Sequence, residues 1–154
     1  MKLLAHQSIH FTHIAYDEIK PVFGNQGKSL SRKDIQKEDE LLVISGIASP
    51  EGFIKEVGKF SDKVTPLIFP DHHAFEKSDI RRIKNTFDKM KSSAKYILVT
   101  EKDAARLLDN PHIPEDWKTC MYYLPITIEF CLDKKFDDEI KKHITTFHKD
   151  NLLR

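Results

Sequence analysis

Four short apolar runs, Leu41–Ser45, Val64–Phe69, Tyr96–Val99 and Cys120–Leu124, punctuate the chain, and helical patterning lies after each. That alternation leaves few architectures open. Strand and helix in turn predict an α/β fold, a Rossmann-like parallel sheet of about four strands with helical crossovers. Each run reads as a buried strand. Ser49 before Pro50 reads as a capping hydroxyl ahead of the first helical residue, and Phe53, Ile54 and Val57 form the helical stripe that follows. Ser78 and Asp79 stand where they can cap a second helix with Ile80, Ile83, Phe87 and Met90 on its inner face. A short helix is expected from Asp103 to Leu108, then a proline-bearing loop around Trp117. Past Pro125, residues Ile126–Phe130 continue extended, and a terminal helix over Phe136–Leu153 turns Phe136, Ile140, Ile144 and Phe147 inward.

The first forty residues read differently. Ile9, Phe11 and Ile14 alternate with polar residues, and after Tyr16-Asp17-Glu18 comes Ile19–Phe23, so residues 8–24 predict a β-hairpin. Residues 24–40 are polar and then heavily charged, which predicts an exposed connection. The expected division is therefore an N-terminal β-hairpin with exposed linker over 1–40 and an α/β domain over 41–154.

Bulk composition narrows the function. With 154 residues, 40% hydrophobic and 32% charged, the chain suits one soluble domain with a real core. A net charge of +1 gives no support for a nucleic-acid binder, which usually shows a basic excess. Cys120 and Cys131 match no metal or redox spacing and read as two buried, reduced thiols, which suits the cytosol. No signal-peptide region follows Met1, and the longest apolar runs are far too short to span a bilayer. Any membrane anchor is expected outside this chain.

Two polar clusters stand at strand ends, where open α/β sheets bind ligands. The first is Asp71-His72-His73, after Phe69-Pro70. A carboxylate beside an imidazole can hold a metal or form a general-base pair. Equally, Asp71 can cap local amides and the histidines be ordinary loop residues. The second cluster is Thr100-Glu101-Lys102-Asp103. Thr100 with Asp103 three residues on resembles a capping box, and acids suit a first helical turn, but Lys102 has no such explanation. It can hold a phosphate or pair with Asp71. Gly24–Ser29 ends in Gly-Lys-Ser like a phosphate-binding loop, but Val22 occupies the place of the required first glycine and no amphipathic helix follows. The eight histidines make no zinc spacing with the cysteines, so no metal ligands are assigned.

The ordered set Phe11-Thr12 with Tyr16, Gly46–Pro50, Phe69–His73, Thr100–Ala104 and Tyr123-Leu124-Pro125 resembles the C-terminal half of the tetraacyldisaccharide 4'-kinase family, the lipid A 4'-kinases of Gram-negative bacteria, over about residues 8–148. The resemblance implies an enzyme that uses ATP and Mg²⁺ to phosphorylate the 4'-hydroxyl of a tetraacylated disaccharide 1-phosphate at the cytoplasmic face of the inner membrane. It implies that the P-loop and the membrane-associating helix lie in an N-terminal half. Carried onto this chain, the catalytic histidine is His72, which works with a carboxylate of the P-loop half and is oriented by Asp71. His73, Glu101, Lys102 and Asp103 are supporting or substrate-side residues. The P-loop half is not in this sequence, and phosphoryl transfer depends on a phosphate cradle and metal. The expectation is a C-terminal domain fragment, inactive alone, binding no ATP or Mg²⁺ itself, with the P-loop half and the lipid disaccharide as partners.

Two other readings stand beside it. A phosphoesterase with Mn²⁺ on Asp71-His72-His73 needs further strand-end aspartates, but the first buried strand ends in Ser45-Gly46. A free-standing binding or regulatory domain would have kept the fold and lost the chemistry. An in-frame P-loop upstream in the gene favours the kinase, and a stop codon there favours the free-standing domain.

Overall fold

Leu41, Leu42, Val43 and Ile44 are all wholly buried, which requires cover on both faces of one strand. The computed structural model supplies it. It describes residues 4, 7–24, 29–131 and 135–151, with backbone only for residue 135 and for 146–151. In chain order the elements are β1 (Thr12–Tyr16), β2 (Lys20–Pro21), β3 (Glu40–Ser45), α1 (Glu51–Val57), β4 (Lys63–Ile68), α2 (Lys77–Asp88), β5 (Lys95–Thr100), α3 (Glu101–Leu108), β6 (Met121–Leu124), β7 (Ile126–Phe130) and α4 (Lys135–Asn151). A five-stranded sheet has the order β2-β6-β5-β3-β4, with β6, β5, β3 and β4 parallel and β2 antiparallel on its edge. The Rossmann-like α/β architecture expected from the sequence is therefore present.

Alternate residues of β3 serve two cores. Leu42 and Ile44 pack with Ile80, Ile83 and Phe87 of α2, Leu107 of α3 and Trp117. Leu41 and Val43 pack with Phe53 and Val57 of α1 and with Ile19, Leu30 and Ile35. The inner face assigned to α2 holds, since Ile80, Ile83, Phe87 and Met90 are all buried.

Several expectations change. The N-terminal strands exist, but they do not form a hairpin: β1 pairs with β7 in a two-stranded sheet, and β2 pairs with β6. The chain divides into Tyr16–Ile126 and a second unit of Met1–Ala15 with Thr127–Arg154. Residues 29–40 are not a mere exposed linker, because Leu30 and Ile35 are buried and Arg32 donates to Glu56 (3.1 Å) and to the Asp17 carbonyl (2.7 Å). The dense charge there masked two core residues. β4 is an edge strand with Thr65, Pro66 and Ile68 exposed, a position that tolerates a proline. Ser49 does not cap α1, whose N-cap is Pro50 without a side-chain bond. The loop around Trp117 includes a 3-10 helix over Glu115–Thr119, and Trp117 is wholly buried.

In the smaller unit, Phe136 stacks near Phe130 (4.8 Å between centroids), while Ile140 and Ile144 are exposed rather than inward. The Phe147 side chain and Leu153 lie outside the described residues, as do residues 25–28 of the Gly-Lys-Ser loop. The thiols are free, but Cys131 is exposed and Cys120 only partly buried.

Candidate active site

The strand order creates the site. From β3 the chain runs outward to β4, and from β5 it runs outward to β6 on the other side. The carboxyl ends of β3 and β5 thus flank the point where the order reverses, the usual ligand position in open α/β sheets. β3 ends there in Ser45-Gly46 and β5 in Thr100.

Asp103 joins these ends. Its carboxylate is wholly buried. Oδ2 accepts from the Gly46 amide (2.9 Å) and the Thr100 hydroxyl (2.6 Å), and Oδ1 accepts from Arg106 Nη1 (3.0 Å). Thr100 in turn caps α3, accepting from the Asp103 amide. The capping expectation for Thr100 and Asp103 holds in part: Thr100 caps α3, and the Asp103 carboxylate bonds both the Thr100 hydroxyl and the Gly46 amide beyond β3. Gly46 has little room beside it. A Cβ there would lie 3.1 Å from Asp103 Oδ1 and 3.4 Å from both His73 Cβ and the Pro70 carbonyl.

The turn after β4 separates the two histidines. The His72 amide donates to the Gly46 carbonyl (3.2 Å) and to Asp71 Oδ1 (2.9 Å), and the His73 amide donates to the Pro70 carbonyl (3.3 Å). His72 adopts a left-handed backbone with φ 58°, uncommon outside glycine, which points successive side chains apart. The His72 side chain is 72% exposed. His73 instead stacks on Phe69 (4.8 Å between centroids), meets Phe75 edge-on (5.3 Å) and bonds Asp79 Oδ2 (2.9 Å). Asp79 also accepts from the Glu76 amide at the start of α2 (2.9 Å). Burial by itself would raise the Asp79 carboxyl, but these two bonds, with the charges of His73 and Arg82, outweigh it and hold the pKa below the usual value. His73 is thereby a brace for α2, and His72 is the imidazole left open to a ligand.

Asp71 Oδ2 lies 3.7 Å from His72 Nε2, an ion-pair distance beyond a hydrogen bond. Arg106 Nη2 lies 3.2 Å from His72 Nδ1, and Arg106 Nη1 also donates to the Gly46 carbonyl (3.2 Å). Asp71, His72 and Asp103 are thus brought together, with Arg106 as the link between the last two. Glu101 and Lys102 are exposed in the first turn of α3, and among the described residues no ion pair joins Lys102 to Asp71. Sequence reasoning missed Arg106. Its one signal was the spacing of three from Asp103, which puts both on one helix face.

Among the described residues no three His, Cys, Asp or Glu side chains converge to hold an ion, so the phosphoesterase reading gains no support. Chemically the site offers one exposed imidazole, a carboxylate beside it and a guanidinium braced from behind.

A mostly parallel α/β sheet with an exposed imidazole, contacted by a guanidinium, at its reversal point defines a Rossmann-like domain with a candidate site at its carboxyl edge. Comparison with known proteins makes this specific. The chain belongs to the tetraacyldisaccharide-1-P 4'-kinase family, which it matches over residues 4–145. It is 45% identical over 151 residues to a tetraacyldisaccharide 4'-kinase of Parabacteroides distasonis, covering 97% of this chain and 41% of that protein. Proteins of the same description from Phocaeicola vulgatus and Flavobacterium johnsoniae are 33% and 35% identical, over 98% and 99% of this chain but 40% and 39% of their own length. The chain therefore spans about two fifths of the curated relatives it matches. No solved structure matches it.

Proposed function

We propose that this chain is the C-terminal, acceptor-side part of a kinase that phosphorylates the 4'-hydroxyl of a tetraacyldisaccharide 1-phosphate in lipid A biosynthesis. The exposed His72 imidazole at the carboxyl edge of the sheet carries the reading. In this role His72, oriented by Asp71, works through its ring N–H with a carboxylate from the rest of a longer polypeptide, and that carboxylate takes the proton of the attacking hydroxyl, a contribution of about 10²–10⁴-fold in rate. Family membership and the names of the relatives support this assignment.

ATP and Mg²⁺ belong to the proposed reaction, with their cradle in the other three fifths of a longer polypeptide. The coverage of the relatives supports that arrangement. The proposed place of work is the cytoplasmic face of the inner membrane. No described helix is long and apolar enough to cross a membrane, so in this reading membrane contact comes through the other half.

The test is a chimera in which this chain replaces the matching segment of the Parabacteroides distasonis relative. Transfer of labelled phosphate to the tetraacyldisaccharide 1-phosphate is expected from the chimera, with no ATP turnover by the 154-residue chain alone. His72→Ala in the chimera is expected to lower kcat by about 100-fold or more. ATP turnover by the isolated chain, or an unimpaired His72→Ala chimera, would overturn the proposal.

A further inference from the structure

The contact between Arg106 and His72 has a chemical direction. A guanidinium has donors and no acceptor. When Arg106 Nη2 bonds His72 Nδ1 at 3.2 Å, Nδ1 must therefore be the bare nitrogen, and a neutral ring carries its proton on Nε2. Nε2 is the atom on the open side, 3.7 Å from Asp71 Oδ2.

We propose that Arg106 is a positioning residue that locks His72 in its Nε2–H form and fixes the ring toward the acceptor site. Its own position is set in advance. Nη1 is held by the wholly buried Asp103 (3.0 Å) and by the Gly46 carbonyl (3.2 Å). The same Gly46 carbonyl receives the His72 amide, and the Gly46 amide binds Asp103. One residue, Gly46 just past the end of β3, thus ties the guanidinium to the backbone that bears the imidazole. The long Arg106 side chain is ordered by the buried pair before any ligand arrives, so no further ordering cost falls on the site. The open side of His72 presents an N–H, suited to a carboxylate or phosphate oxygen. Lysine would not replace Arg106, because an ammonium lacks the planar fork that serves Asp103, Gly46 and His72 at once.

The tautomer rests on geometry alone, while the effect on rate rests on the kinase reading above. Two measurements keep them apart. In the 154-residue chain, long-range ¹⁵N–¹H spectra of the histidine rings at about pH 8, where an ordinary imidazole is neutral, are expected to show His72 protonated on Nε2 alone. Arg106→Met is expected to release it to a mixture of both forms. A wild-type His72 protonated on Nδ1, or a His72 signal unchanged by Arg106→Met, overturns the proposal. In the chimera, Arg106→Met is expected to lower kcat by about 10–100-fold, the usual cost of losing an outer-shell partner, with KM for both substrates within about twofold. Arg106→Lys is expected to fall between. On a His72→Ala background Arg106→Met is expected to add nothing, and a fully additive loss would show that Arg106 acts apart from His72, which also overturns the proposal. An inactive wild-type chimera counts against the kinase reading, and the ring spectra still decide this one.

Discussion

Replacing Asp103 by alanine removes the acceptor on which three donors converge: the Gly46 amide, the Thr100 hydroxyl and the Arg106 guanidinium. Each buried donor left unsatisfied costs about 1–3 kcal/mol. The Gly46 amide is fixed by the backbone and bears the full cost. The Thr100 hydroxyl can rotate, and the Arg106 side chain, 24% exposed, can turn toward water. The sum is about 3 kcal/mol, at the lower edge of the ~3–5 kcal/mol usual for removing one partner of a buried charged pair. Asp103→Asn keeps one carbonyl oxygen for Gly46 and Thr100 but turns an amide toward Arg106, so its expected cost is about 1–2 kcal/mol. Urea unfolding of the isolated chain with linear extrapolation measures both, the m-value serving to detect any change in the unfolded state. An Asp103→Ala variant within about 1 kcal/mol of wild type, with m unchanged, would refute the claim that this carboxylate holds the ends of β3 and β5 together.

Three further outcomes are expected. Trp117 is wholly buried in the α2-side core, so Trp117→Ala should cost about 3–5 kcal/mol; Trp117→Phe should cost much less in the same urea titration, since Nε1 has no hydrogen-bond partner among the described residues. The Asp79 carboxyl is lowered in the folded state, so the stability it contributes is present above its unfolded pKa and is lost as pH falls through the folded value; urea midpoints should drop over that acid range in wild type and drop less in Asp79→Asn. Burial, with Asp116 adding to it, pushes the Cys120 thiol up to about 11 despite Lys95, while Cys131 is exposed; iodoacetamide followed by peptide mapping should modify Cys131 well before Cys120, and equal rates would contradict this burial.

By itself the sequence determined the class of fold. Apolar runs such as Leu41–Ser45, and the three- and four-residue spacing of Ile80, Ile83, Phe87 and Met90, are local consequences of burial, and they hold wherever the neighbours come from. It also determined that chemistry-bearing residues stand at strand ends, in Asp71-His72-His73 and Thr100–Asp103. Pairing partners were not local. β1 and β2 alternate like a hairpin, yet they join different sheets, because period-two patterning gives a strand its faces and not its neighbour. Leu30 and Ile35 were hidden in the same way, their burial resting on α1 and β3 rather than on their charged surroundings. Only the tertiary structure divided the labour between the histidines. A left-handed residue at His72 turns one ring outward and sets the other on Phe69 and Asp79. Only the tertiary structure, too, brought Arg106 to a histidine 34 residues away and Asp103 to an amide 57 residues away. Those contacts depend on β3 lying between β4 and β5, an order that the strands' own residues do not encode one strand at a time.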